Sequence, residues 1–154
     1  MYTASPSVKA RTKALVKALA TQSGVKPAGD KASREGRFGW IIGLGPCGER
    51  FPNDTSEIHV TAKASVGVVV GEPNPYTFGL FIVSIDESDR LVAASVGTAT
   101  VTPGSVRDLG VVVDHRNPGP GKYYVQSWLA VIKGNVEEGI ADAGFDKSCT
   151  YTVK

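Results

Sequence analysis

The 154-residue chain predicts a mostly β protein, a single antiparallel β-sandwich of about seven strands behind a basic helical arm and linker. Three observations carry that expectation. From Ile58 through Val60, Ala62, Ala64, Val66, Val68 and Val70 every even position is apolar. Glu57, His59, Thr61, Lys63, Ser65 and Gly67 fill odd positions between them, the period of a half-buried strand, with Gly67 as a candidate bulge. Beyond it, short apolar segments alternate with the turn chemistry of "GEPNP", "DESDR", "TPGS" and "RNPGPG" at sandwich spacing. Eighteen Gly and nine Pro against a single Met tilt the composition further towards strands and turns.

In chain order, "SPSVKARTKALVKALATQSG" (5–24) reads as a helix. Ser5 or Ser7 can cap it and Pro6 suits its first turn. Val8, Leu15 and Leu19 share one side, Lys9, Lys13 and Lys17 form a cationic stripe to which Arg11 adds a fourth charge, and Gly24 is a stop. So short a helix needs a partner surface to be fully ordered. Residues 24–37 have linker composition, so the expected division is an anchor and linker over 1–37 and a sandwich over 38–154.

The body opens at "FGWII", followed by the alternating strand and then "YTFGLFIVSI", "LVAASVGTATV", "VRDLGVVVDH" and "KYYVQSWLAVIKG". "EEGIADAGFD" reads as a loop, and "KSCTYTVK" as the last strand, with Cys149, Tyr151 and Val153 alternating. "VGVVVG" and "FGLFIV" are apolar on both faces, which predicts a cover over the outer side of a sheet, from the arm or from another subunit.

Charge is unevenly spread. Residues 1–38 hold eight Lys/Arg against two acids, a balance of +6, whereas the remainder holds nine against thirteen, a balance of −4. A basic arm on an acidic body points to a partner for the arm, in preference to a solubilising tail. An apolar content of 42% with 21% charged residues argues against global disorder. No stretch approaches the roughly 20 apolar residues of a membrane span, and "ALVKALA", broken by Lys17, is no signal-peptide core. A chain made in the cytosol is expected, with Cys47 and Cys149 as two free, half-buried thiols in preference to a disulfide. The sequon at Asn53 is then a chance match.

"PGPGKYYVQSWLAVI" resembles strand F of an immunoglobulin-like or fibronectin-type sandwich, where a turn leads into an alternating strand and a tyrosine pins the corner between sheets. The resemblance spans 38–154 and implies that Tyr123 or Tyr124 takes the corner role, with Val125, Ser127, Leu129 and Val131 on one face and Trp128 on the other. The Cys–Trp–Cys core of antibody domains is absent. With the arm in front, the layout is similar to tailed-phage capsid decoration proteins, in which an N-terminal capsid-binding segment carries an Ig-like domain. That resemblance implies binding on a capsid shell without catalysis.

Signals for chemistry are sparse. "GLGPCG" (43–48) satisfies the spacing of a dinucleotide-binding turn, but no helix is expected after it, and Pro46 deletes a donor. His59 and His115 lack a presented nucleophile, and neither they nor the two cysteines form a recognisable metal set. Asp86, Glu87 and Asp89, like Glu137 and Glu138, read as solvated turns. No catalytic residue, cofactor or metal is expected.

The expected function is that of a non-enzymatic virion structural protein, a bacteriophage capsid decoration or cement subunit located in the virion. Val8, Lys9, Arg11, Lys13, Leu15, Lys17 and Leu19 would bind a capsid or other subunit surface. Nucleic acid is the arm's other candidate partner, a homo-oligomer is compatible, and a membrane is not expected, because the arm has no Trp or Phe to bury. Two alternatives stand beside this reading. One is a carbohydrate- or peptide-binding module with a concave site near "GEPNPY" and Trp128; the other is a small coat protein whose arm contacts the genome.

Overall fold

The computed structural model describes residues 36–133 and 136–154. The helix expected over 5–24, its seven anchor residues and nearly all of the linker lie outside the described residues. The described body is mostly β, in nine strands: β1 (Arg37–Gly45), β2 (Glu49–Phe51), β3 (Glu57–Val68), β4 (Tyr76–Asp86), β5 (Leu91–Val101), β6 (Val106–Arg116), β7 (Gly121–Lys133), β8 (Val136–Ala143) and β9 (Thr150–Val153). One sheet has the order β1-β3-β6. The other runs β2-β9-β7-β4-β5, with β8 also pairing β7. All pairings are antiparallel except β2 with β9.

The alternation of β3 is realised as expected. Ile58, Val60, Ala62, Ala64, Val66 and Val68 are buried between the sheets against Phe78, Leu80 and Ile82 of β4 and Val125, Leu129 and Val131 of β7. The pairing of β3 with β6 runs unbroken through Gly67, so the bulge lies elsewhere, in β1 between Ile41 and Gly43. Gly67 serves a different end: a Cβ there would run into the ring of Phe38, its cross-strand neighbour.

β4 is buried on both faces, as its composition requires. Its outer side chains Phe81, Val83 and Ile85 pack with Trp128, Ile132, Leu91, Val96 and Phe145. Most of the loop expected over 137–146 is instead strand β8, which pairs with the C-terminal half of β7 while β9 pairs with its N-terminal part. Backbone pairing to an existing strand suffices to hold a segment that is poor in strand-forming side chains.

The cysteines correct a second expectation. Cys47 and Cys149 are joined by a disulfide with Cα atoms 4.7 Å apart. Cys47 comes after β1 of the first sheet, and Cys149 lies just before β9 of the second rather than within it. The bond therefore ties the two layers together. Parallel pairing of β2 with β9 brings the cysteines face to face, a tertiary juxtaposition that the sequence separation of 102 residues conceals.

Candidate functional site

Because even positions of β3 enter the core, its odd positions and their cross-strand partners look outward from the three-stranded sheet. Register sets the rows: Phe38–Gly67–Val106, Trp40–Ser65–Asp108, then Lys63–Gly110, Thr61–Val112, His59–Asp114 and Glu57–Arg116. Phe38, Trp40, Ile42, Val69, Val70, Val106 and Val112 are the large apolar side chains left exposed among the described residues. All seven lie on this face or at its Gly36 end. An apolar concentration of this kind on one face marks an interaction surface.

Phe38 and Trp40 stack with centroids 6.2 Å apart and planes 17° from parallel. Trp40 is 52% exposed. Beside them a shallow depression of about 160 Å³ is lined by Ile42, Lys63, Asp108, Leu109 and Gly110. "FGWII" marked the start of a strand in the sequence. Its apolar pairs gave no sign that Phe38, Trp40 and Ile42 would face solvent and that Gly39 and Ile41 would turn inward.

At the far end of the face, Glu57, His59 and Asp114 bring three potential metal-ligating atoms within 4.8 Å of one another. His59 Nδ1 lies 2.6 Å from Asp114 Oδ1. That hydrogen bond, with a smaller contribution from Glu57, holds the Asp114 carboxyl below its usual range. Arg116 Nε, 3.6 Å from Glu57, already supplies that carboxylate with a cation.

The second histidine is buried. His115 Nδ1 is 2.7 Å from the Tyr151 hydroxyl, which is 2.6 Å from Ser84 Oγ. Burial lowers the pKa of His115 and pushes that of Tyr151 up to about 12. All three side chains are sealed from solvent, so this serine–tyrosine–histidine chain binds the two sheets together and presents nothing to a substrate. Tyr123 stacks on Tyr151 and donates to the Gly119 carbonyl at 2.6 Å, whereas Tyr124 lies outward under Lys122 and Lys147.

Other sequence candidates disperse. Tyr76 points into the core and Trp128 lies on the outer side of the six-stranded sheet, its indole against Gly139, so no concavity joins "GEPNPY" to Trp128. The glycine-rich segment 43–48 ends β1 and leads into strand β2, with no helix to receive a phosphate. Asp86 is a turn carboxylate, accepting from the Ser88 and Arg90 amides. Among the described residues, no helix is long and apolar enough to cross a membrane.

No protein-family model matches the chain, and no curated protein matches it. Solved structures align with part of the chain at low identity. A glycosyl hydrolase family 2 member from Bacteroides cellulosilyticus is 13% identical, with a TM-score of 0.43 over 70% of this chain and 14% of its own. A Bacteroides uniformis beta-glucuronidase is 13% identical, with a TM-score of 0.44 over 71% of this chain and 12% of its own. The Pseudomonas fluorescens alkylpurine DNA glycosylase AlkC, solved bound to DNA, is 11% identical, with a TM-score of 0.43 over 75% of this chain and 30% of its own. The chain thus spans a small part of each of these proteins.

Proposed function

We propose that the protein is a non-enzymatic virion structural protein of the capsid decoration type, attached through residues 1–35 and presenting its sandwich as a binding domain. The observation that carries this reading is the open face of β1, β3 and β6. It gathers the exposed apolar side chains on an open surface with shallow depressions, which suits an extended partner better than a small molecule that must be enclosed. The disulfide between the layers adds support, since such bonds persist in oxidising settings that include virion surfaces. In this reading the basic arm docks Val8, Leu15 and Leu19 on a subunit of the shell, with its lysines at the rim, and many symmetric copies reinforce the shell by mass action.

Mass spectrometry of purified particles from the source tests this. The chain should be present in fixed proportion to the main shell protein. Deleting residues 1–35 should remove it from particles while near-UV circular dichroism still reports a packed body. Absence of the full chain from particles, or undiminished incorporation of the truncated one, would overturn the proposal.

A further inference from the structure

We propose that the Phe38–Trp40 face is a glycan-binding surface that takes a neutral polysaccharide, its sugar rings packing against the exposed aromatic pair. The proposal names the ligand of the open β1–β3–β6 face and rests on the reading of that face as a binding surface. It does not depend on where the arm attaches.

The far edge of the Phe38 ring covers Gly67 on the neighbouring strand, in space that any side chain there would occupy. The ring therefore reclines over β3 instead of standing off the sheet. Trp40 stacks nearly parallel to it with centroids 6.2 Å apart, and both rings stay partly open to solvent, so the pair offers a contiguous exposed aromatic surface. Ser65 and Gly110, small residues beside them, leave the approach open.

A pyranose is apolar on the faces where its C–H bonds point and polar around its hydroxylated rim. Aromatic faces carry negative charge density that attracts C–H groups, and their apolar area is released from water on contact. The hydroxyl rim then needs donors and acceptors at the edge of the rings. Ser65 lies opposite Trp40, and Lys63 and Asp108 line the depression alongside, offering an ammonium and a carboxylate. One charge of each sign gives no net preference for a charged sugar, hence a neutral one. Lys63 and Asp108 beside the apolar centre also argue against a protein occupant, since the cores of protein interfaces are depleted in charge.

Isothermal titration of the full chain with cellohexaose and laminarihexaose tests the proposal, together with affinity electrophoresis through soluble xylan and galactomannan. Saturable binding to at least one probe is expected, with a change in tryptophan fluorescence that Trp40→Phe abolishes while Trp128 remains. Trp40→Ala and Phe38→Ala should each weaken binding about tenfold or more, as loss of an aromatic anchor does. Gly67→Ala, which displaces the Phe38 ring, should weaken it too, and Trp40→Phe should retain much of the affinity. Arg90→Ala, in the β4–β5 turn, should bind as the wild type. Failure of all four probes, or retardation that Trp40→Ala leaves unchanged, overturns the proposal. Self-association abolished by Trp40→Ala, without glycan binding, would assign the face to a second copy of the chain instead. None of these results depends on particle incorporation, so the proposed function and this inference can fail separately.

Discussion

Opening the Cys47–Cys149 bond should destabilise the sandwich substantially without unmaking its architecture. The bond closes a loop of 102 residues, nearly the whole described body. Loop-closure entropy for a ring of that size amounts to about 4.7 kcal/mol at 25 °C. Residual structure in the unfolded chain reduces the effect, so a loss of about 3–4 kcal/mol is expected, within the range seen for native disulfides. For a chain of this length that lowers Tm by roughly 10 °C. The measurement is a pair of thermal melts monitored by circular dichroism, with and without reductant, repeated on a Cys47→Ala/Cys149→Ala double variant. The reasoning is refuted if oxidised and reduced melts superimpose. It is equally refuted if thiol titration of the unreduced, denatured protein finds two reactive thiols.

Four further outcomes concern stability. Tyr151→Phe deletes the hydroxyl that joins Ser84 to His115 and leaves two buried polar groups short of a partner, so urea denaturation should show a loss of about 1–3 kcal/mol. His115 is held neutral by burial, with its folded pKa below 6.5. The unfolded chain therefore takes up the proton first as the solution is acidified. Stability should be full above about pH 6.5 and fall below it, and His115→Gln should flatten that slope in urea midpoints between about pH 7 and pH 5; an unchanged slope would refute the assignment. Asp86, Asp114 and Asp146, whose pKa values are lowered chiefly by hydrogen bonds, act in a separate window, losing their contribution only as pH falls below about 3.8. Finally, Gly144 and Gly48 both have left-handed backbones, but a Cβ at Gly144 would strike the Val125 carbonyl, whereas Gly48 faces open space. Gly144→Ala should cost at least about 2 kcal/mol and Gly48→Ala about 1 kcal/mol in thermal melts; equal losses would show that backbone conformation alone sets the penalty.

Local patterning carries much of the fold. The alternation of β3, the double-faced burial of β4 and the turn residues between strands are properties of neighbouring side chains, and period and composition reveal them directly. β8 escaped that logic, because "EEGIADAG" has Ile140 as its one β-branched residue and no aromatic, and it is held by backbone bonds to β7 that no local window contains. The same limit hid the exposed apolar face. "FGWII" marked only where the body begins, since an apolar run at a strand start does not say which parity faces inward.

By itself, the sequence determined the class: an antiparallel sandwich with alternating inward faces, and a cationic segment of different charge in front of it. Tertiary structure alone decided which residues meet. Parallel pairing of β2 with β9 joined Cys47 to Cys149, and the register of β1 on β3 laid the Phe38 ring over Gly67 and turned Trp40 to solvent. The physical reason is that strand periodicity is a local steric property, whereas register and layer contacts are set by chain segments tens of residues apart, and only their joint packing selects one arrangement.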